Sequence, residues 1–73
     1  MPMIFDRIAI LGVGLIGASI ARAAREYGAV GAIALYDASP DVRERARALG
    51  LGEVFDDAER AVAQADLVVL AVP

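Results

Sequence analysis

Three glycines at fixed spacing, between an apolar run and an amphipathic segment, constrain the fold of this chain more than any other feature. Residues 12–17 read GVGLIG, which matches the pattern G-x-G-x-x-G. The apolar run before them, residues 7–11, predicts a strand that is buried on both faces. The segment after them, residues 15–27, has apolar positions at helical spacing, and Gly28 predicts the end of that helix. The chain therefore opens with a strand, a tight glycine turn and a helix, which is the start of a parallel α/β unit.

The periodicity of the first helix predicts which of its faces is buried. Apolar positions recur at i, i+4, i+7, i+8 and i+11, and charged residues fall on the opposite side. The residues that we expect to face the sheet are Ile16, Ile20, Ala23, Ala24 and Tyr27.

Further strands and helices alternate along the rest of the chain. Residues 32–36 predict a second strand, and Ser39 caps a helix through residue 49 that begins with Pro40 and carries the apolar stripe Val42, Ala46 and Leu49. Residues 54–55 predict a short strand. Asp56 and Glu59 have the spacing of a capping box, which predicts a third helix to about residue 65. Residues 67–72 predict a fourth strand. Right-handed crossovers then imply a parallel sheet of order 3-2-1-4 with helices on both faces. Ligands of such sheets bind where the order reverses, at the carboxyl ends of strands one and four.

Each glycine of the motif has a physical task if a dinucleotide binds there. Gly12 permits the tight turn, Gly14 lets the backbone approach the pyrophosphate, and Gly17 allows the helix to pack closely on the strand. The helix N-terminus offers free N–H groups and a partial positive charge to phosphates. Asp37 ends the second strand twenty residues after Gly17, where a carboxylate accepts hydrogen bonds from the adenosine ribose. This context predicts a Rossmann-type dinucleotide site; the alternative is a glycine turn of another α/β domain, with Asp37 a solvated carboxylate.

The residues after the second strand favour NAD over NADP as the cofactor. A carboxylate at Asp37 repels a 2′-phosphate, and neither Ala38 nor Ser39 supplies a cation beside it. The second helix carries three arginines that could in principle reach a phosphate, but beside Glu44 we expect them on its solvated face: Arg43, Arg45 and Arg47.

The composition excludes several kinds of chemistry. The chain has no histidine, lysine or cysteine, so it lacks the usual general base, imidazole and thiolate metal ligands and an amine for Schiff-base formation. Ser19 has no base to activate it, and the acids Asp56, Asp57 and Glu59 are better explained as helix caps and surface groups than as a metal site. We therefore assign neither a catalytic residue nor a metal to this chain.

Charge and hydropathy limit the partners and the location. The net charge is −3 and the seven arginines are interleaved with acids, which disfavours nucleic acid. The longest uncharged stretch, residues 8–21, is fourteen residues long and contains three glycines, too short to span a membrane. Residues 1–6 show no secretory signal, so a cytoplasmic location is expected.

Residues 12–19, which read GVGLIGAS, resemble the cofactor loop GxGLIGxS of the prephenate and arogenate dehydrogenases of tyrosine biosynthesis. The resemblance continues through YDASP at residues 36–40 and ADLVVLAVP at residues 65–73, so it covers essentially the whole chain.

The resemblance implies an activity and a set of cofactor contacts. A parent enzyme of this family oxidises prephenate or arogenate at the ring carbon that carries the hydroxyl, with hydride passing to NAD and carboxylate leaving as carbon dioxide. The cofactor residues implied by position are Gly12, Val13, Gly14, Leu15, Ile16, Gly17, Asp37, Ala71, Val72 and Pro73. The family's catalytic histidine and substrate-binding arginine have no counterpart here. Residues 1–73 are therefore expected to be the N-terminal part of a dinucleotide-binding domain, inactive alone, from a homodimeric parent whose catalytic and dimerisation domain is absent.

Three other interpretations remain open at the level of sequence. The chain could come from another dehydrogenase of the 6-phosphogluconate or 3-hydroxyacid type. It could instead belong to a module that senses NAD without catalysis, or be a small folding unit that binds no ligand. The presence or absence of a histidine in the right setting beyond residue 73 would separate another dehydrogenase. A further partner-binding segment would favour the sensing module, and a failure to bind adenine nucleotides would indicate the folding unit.

Overall fold

The computed structural model describes residues 5–28 and 30–71 of the chain. In this part, strands and helices alternate as the sequence predicts. The elements are β1 (Phe5–Leu11), α1 (Leu15–Tyr27), β2 (Val30–Tyr36), α2 (Pro40–Leu49), β3 (Glu53–Val54), α3 (Ala58–Val62) and β4 (Leu67–Leu70).

The four strands form one parallel sheet in the order β3-β2-β1-β4, which confirms the predicted topology. In the centre of the sheet, Ile8 of β1 pairs with Ile33 of β2 on one side and with Leu67 of β4 on the other. The strands β1 and β2 begin earlier than the sequence predicts, because Phe5 pairs with Val30. After β3 the chain crosses to the other side of β1 to form β4, so the strand order reverses between β1 and β4. Such a reversal leaves a crevice at the carboxyl ends of these two strands.

The core has two layers, one on each face of the sheet. The larger layer contains the buried side chains of β1 and β2 that face α1 and α2, with Ala21 and Ala46 contributed by those helices. On the other face, Ala9 and Ala34 contact Ala61 of α3. The strand residues of the larger layer are Ile8, Ile10, Ile33 and Leu35. Helices therefore cover both faces of the sheet, as predicted.

Helix α1 has the predicted bounds, but its buried face differs from the prediction. Ile16 and Tyr27 are 70% and 66% exposed, and Ala23 is exposed as well, whereas Gly17 and Ala21 are buried. The cause is the close contact between the start of the helix and the turn before it, which requires small residues and sets the rotation of the helix. The members of the predicted face that do pack against the core are Ile20 and Ala24.

Helix α2 has the predicted cap and bounds, while one residue of its predicted stripe is wrong. The Ser39 side chain accepts a hydrogen bond from the N–H of Val42, and Gly50 ends the helix with a positive φ of 64°. Leu49 is 50% exposed. The left-handed turn at Gly50 instead directs Leu51 into the core, where it is buried.

The third strand and third helix are shifted and shorter than the sequence predicts. Strand β3 covers residues 53–54 rather than 54–55, and α3 ends at residue 62. The N-cap of α3 is Asp57, whose carboxylate accepts from the N–H of Glu59, whereas Asp56 binds arginines of α2. The predicted N-cap is therefore wrong by one residue, and no capping box forms, because Arg60 rather than an acid or amide occupies the third position of the helix.

Strand β4 lies at one edge of the sheet and ends at Leu70. The prediction extended it to Val72, which lies outside the described residues. Within the described ranges, no helix combines the length and the apolar character needed to cross a membrane.

Candidate functional site

A large cleft lies at the carboxyl ends of β1, β2 and β4, where the strand order reverses. Its volume is about 970 Å³, at the upper end of the range for small-molecule sites. Among the described residues that line it, Asp37 is the charged one, and most of the others are apolar. The lining residues are Leu11, Gly12, Gly14, Leu15, Ile16, Tyr36, Asp37, Ala38, Ala58, Leu70 and Ala71.

The three motif glycines meet different structural demands at this cleft. Gly12 has a φ of 98°, a conformation that other residues rarely adopt, and its N–H donates to the carbonyl of Tyr36 at 2.8 Å. A Cβ at Gly17 would overlap the carbonyl oxygen of Gly12. A Cβ at Gly14 would meet nothing within 4 Å. Backbone conformation therefore requires glycine at position 12 and packing requires it at position 17, whereas the space beside Gly14 is free for a ligand.

The N-terminus of α1 is arranged to receive an anion. Gly14 is the N-cap and supplies no side chain to bind the first N–H groups, and the first turn contains no acidic residue. The first N–H that bonds within the helix belongs to Ala18, at 2.9 Å from the carbonyl of Gly14. Leu15 and Ile16 are 90% and 70% exposed. Their backbone N–H groups, together with the helix dipole, can therefore bind a negatively charged group in the cleft.

The Asp37 carboxylate lies at the cleft and is held by two backbone groups. One oxygen, Oδ2, accepts from the N–H of Val13 at 2.8 Å, and the other, Oδ1, accepts from the N–H of Ser39 at 2.8 Å. An ionised carboxylate offers about four acceptor positions, so about two remain for a ligand hydroxyl. Asp37 can therefore bind a diol while it is bonded to the protein.

Arg43 does not occupy the solvated position that the sequence predicts. Its side chain is 16% exposed, and its Nη1 donates to the backbone carbonyl of Asp37 at 2.7 Å. Its Nε pairs with Asp56 at 3.3 Å, and the guanidinium lies 5.8 Å from the centre of the Tyr36 ring. Arg43 thus stabilises the turn after β2 through the Asp37 carbonyl, and it is not among the residues that line the cleft.

The two other arginines of α2 are exposed, as predicted. Arg47 donates to Asp56 at 2.8 Å and also pairs with Glu44. The hydrogen bond from Arg47, and then its charge, hold the pKa of the Asp56 carboxyl below its ordinary value. Arg47 and its two carboxylate partners therefore neutralise one another at the protein surface.

Six of the ten predicted cofactor residues line the cleft: Gly12, Gly14, Leu15, Ile16, Asp37 and Ala71. Val13, in the glycine loop, and Gly17, in α1, are buried, and neither is among the lining residues. Val72 and Pro73 lie outside the described residues.

Five lining residues were not predicted from the sequence. Leu11, Tyr36 and Leu70 are the last residues of β1, β2 and β4, so the rule that ligands bind at the carboxyl ends of parallel strands could have found them. Ala38 follows Asp37 in the chain. Ala58, at the start of α3, carried no signal because only the crossover of the chain brings it to the cleft.

Ser19 and the acidic residues take structural roles. The Ser19 hydroxyl donates to the backbone carbonyl of Leu15 at 2.9 Å, as expected for a serine within a helix. Asp57 caps α3. In the described part of the chain, no group of three or more acids, histidines or cysteines is placed to hold a metal ion.

Comparisons with known proteins agree with this geometry. The sequence profile of the family described as "Prephenate dehydrogenase, nucleotide-binding domain" matches residues 20–73, well over half of the chain and beginning within α1. The cyclohexadienyl dehydrogenase of Zymomonas mobilis subsp. mobilis is 55% identical over 71 residues, which are 96% of this chain and 24% of that protein. This chain thus spans about a quarter of the length of that relative.

A solved structure gives the same result for the fold. The crystal structure of prephenate dehydrogenase from A. aeolicus, in complex with hydroxyphenyl propionate and NAD+, superposes with a TM-score of 0.83 at 32% identity. The match covers 100% of this chain and 26% of that one. From the matched profile and the strand order it accompanies, we conclude that this chain belongs to the prephenate dehydrogenase nucleotide-binding domain family.

Proposed function

We propose that this chain binds the adenosine diphosphate half of NAD, as the cofactor-binding part of an enzyme that oxidises prephenate or arogenate. The observation that carries the proposal is the combination of open space beside Gly14 with uncapped N–H groups at the start of α1. A glycine that packing does not require, next to unpaired donors, fits a ligand whose phosphates approach the backbone closely. The NAD+ bound to the similar A. aeolicus enzyme supports this choice of ligand.

Each part of the cleft has a role in this proposal. The N–H groups of Leu15 and Ile16 bind the pyrophosphate, and the remaining acceptor positions of Asp37 bind the adenosine ribose hydroxyls. Gly12 and Gly17 keep the turn and the helix in the required geometry, and the N–H of Val13 links the loop to Asp37. Leu70 and Ala71 contribute to the apolar wall of the cleft. Val72 and Pro73, which lie outside the described residues, are further cofactor contacts in this proposal.

The charges at the cleft favour NAD over NADP. A 2′-phosphate would lie beside the Asp37 carboxylate, and no arginine is among the described residues that line the cleft. Arg43 is the nearest candidate, but its guanidinium is bonded to the Asp37 carbonyl and to Asp56. Like charges in contact cost on the order of 1 to 4 kcal/mol near a protein surface, which is roughly a fivefold to several-hundred-fold loss of affinity.

The reaction itself belongs to the whole enzyme in this proposal. When bound, NAD supplies the hydride acceptor, and the residues of this chain hold and orient it. The catalytic histidine, the substrate-binding arginine and the dimer interface come from the remainder of a homodimeric, cytoplasmic parent. Residues 1–73 then form the N-terminal part of its dinucleotide-binding domain.

Ligand titrations of the full-length protein test the proposal. We expect calorimetry to show saturable binding of NAD and AMP and weaker binding of NADP, with amide NMR shifts at Gly14, Leu15, Ile16 and Asp37. A folded protein whose amides respond to none of these nucleotides would refute the cofactor assignment. A protein that binds NAD but forms no NADH with either prephenate or arogenate would refute the enzymatic part and favour the NAD-sensing alternative.

A further inference from the structure

The Asp37 carboxylate connects the two segments that form the cleft. Its Oδ2 accepts the N–H of Val13, which lies 24 residues earlier in the glycine loop, and its Oδ1 accepts the N–H of Ser39 at the start of α2. Both distances are 2.8 Å, and both bonds are partly buried. Hydrogen bonds to an ionised carboxylate are shorter and stronger than those between neutral groups. One side chain therefore links the loop to the turn before α2, in addition to the hydrogen bond from the Gly12 N–H to the Tyr36 carbonyl.

The Val13 N–H needs this acceptor because the loop leaves the sheet at that residue. The N–H of Gly12 still bonds to the carbonyl of Tyr36, and the positive φ of Gly12 then turns the chain away from β2. Val13 is 6% exposed. A backbone donor at such a position is poorly placed to bond to water, so loss of its acceptor favours a different loop conformation.

We propose that Asp37 is a positioning residue for the phosphate-binding loop, in addition to its contact with the ribose. This inference rests on the proposed function, because it concerns the same nucleotide site. It follows that Asp37 supports the binding of phosphate groups even in a ligand that has no ribose hydroxyls. The N–H groups of Leu15 and Ile16 then bind the phosphates in a loop conformation that the Asp37 carboxylate stabilises through Val13.

Removing the Asp37 charge changes the affinity for a diphosphate, and the direction of that change separates a positioning role from a purely electrostatic one. A carboxylate near a bound diphosphate repels it, so removing the charge should strengthen binding if charge alone matters. A carboxylate that positions the loop has the opposite effect, and its removal weakens binding. Asparagine at position 37 keeps the size of the side chain but has one acceptor oxygen, so Val13 and Ser39 cannot both be satisfied.

The experiment compares ADP with 2′,3′-dideoxy-ADP, which carries the same phosphates and lacks both ribose hydroxyls. Calorimetry on the full-length protein would measure both ligands against the wild type, Asp37→Asn and Asp41→Asn. Asp41 is a matched control because it is an exposed carboxylate in the first turn of α2, with no hydrogen bond to the glycine loop. We expect Asp37→Asn to weaken dideoxy-ADP on the order of tenfold, and Asp41→Asn to change it by less than about twofold.

The outcomes show whether Asp37 positions the loop as well as binding the ribose. If Asp37→Asn weakens ADP but leaves dideoxy-ADP unchanged or more tightly bound, Asp37 only reads the ribose and the inference is wrong, while the proposed function stands. If the wild type binds neither ligand, the proposed function fails, and the inference fails with it.

A second measurement uses the wild type alone, so it does not depend on the folding of a variant. Hydrogen exchange read residue by residue in the ligand-free protein should show a protected amide at Val13, since Asp37 already binds it. The amides of Leu15 and Ile16 should exchange quickly until a nucleotide is added. Equal, fast exchange at Val13 and Leu15 without ligand would show that Asp37 does not hold the loop.

Discussion

Replacing Gly17 by alanine tests the contact between the start of α1 and the glycine turn. The new Cβ would overlap the carbonyl oxygen of Gly12 and lie 3.1 Å from its carbonyl carbon. Overpacking typically costs about 1 to 3 kcal/mol, and the upper end applies here because backbone atoms cannot rotate away. The higher helix propensity of alanine offsets up to about 1 kcal/mol. We therefore expect Gly17→Ala to lower the free energy of unfolding by about 2 kcal/mol.

Gly14→Ala is the matched control, because it makes the same chemical change three residues earlier. Its Cβ would meet nothing within 4 Å, and the φ of −80° suits alanine. The weaker N-cap and the stiffer unfolded chain have opposite effects of similar size, so stability should change by less than about 0.5 kcal/mol. The added methyl group should instead weaken NAD binding by about 1 to 3 kcal/mol, roughly 5- to 150-fold.

Denaturant unfolding and NAD calorimetry on both variants provide the assay, with the unfolding midpoint and slope reported for each. The reasoning predicts opposite patterns, with Gly17→Ala losing stability and Gly14→Ala losing affinity. A Gly17→Ala protein as stable as the wild type would refute the close contact with Gly12. A Gly14→Ala protein that binds NAD normally would show that phosphates do not approach the backbone at Gly14.

Two further predictions concern the caps and charges around α2. Ser39→Ala removes the hydroxyl that accepts the Val42 N–H, and we expect a loss of about 1 kcal/mol of stability in denaturant unfolding, whereas an unchanged midpoint would contradict this role of the cap. Asp56 has a lowered pKa in the folded state, chiefly through its hydrogen bond from Arg47, with a smaller contribution from Arg43. Its contribution to stability is therefore present above the ordinary carboxyl pKa of about 4 and is lost as the pH falls through the lowered folded-state value. Asp56→Asn should be slightly less stable than the wild type at pH 7, in a salt-sensitive way, with the difference closing in acid; a difference that persists at low pH would contradict the ion pair.

The local signals in the sequence predicted the elements and their order. Helix α1 begins and ends at the predicted residues because the glycine turn precedes it and Gly28 adopts the left-handed conformation that ends it. The Ser39 cap predicted the start of α2 in the same way. The order 3-2-1-4 followed from alternating strands and helices, since right-handed crossovers leave few other arrangements. These features depend on a few neighbouring residues or on general chirality.

The predictions that failed depend on which residues meet across the fold. Hydrophobic spacing placed Ile16 and Tyr27 in the core, but the close approach of Gly17 to Gly12 rotates α1 so that both are exposed. Asp56 was expected to cap α3, yet it pairs with arginines of α2, and Asp57 is the cap. In both cases the local pattern allowed two arrangements, and long-range contacts selected one.

The sequence by itself determined the glycine turn, the helix caps and the acidic residue after β2, because each is set by backbone conformation or by spacing along the chain. The tertiary structure alone decided how those parts act together. It joined Asp37 to the Val13 N–H across 24 residues, bonded Arg43 to the turn after β2 instead of leaving it in solvent, and brought Ala58 to the cleft. Hydrogen bonds and packing between distant segments form only once the sheet has ordered its strands, so no local pattern contains them.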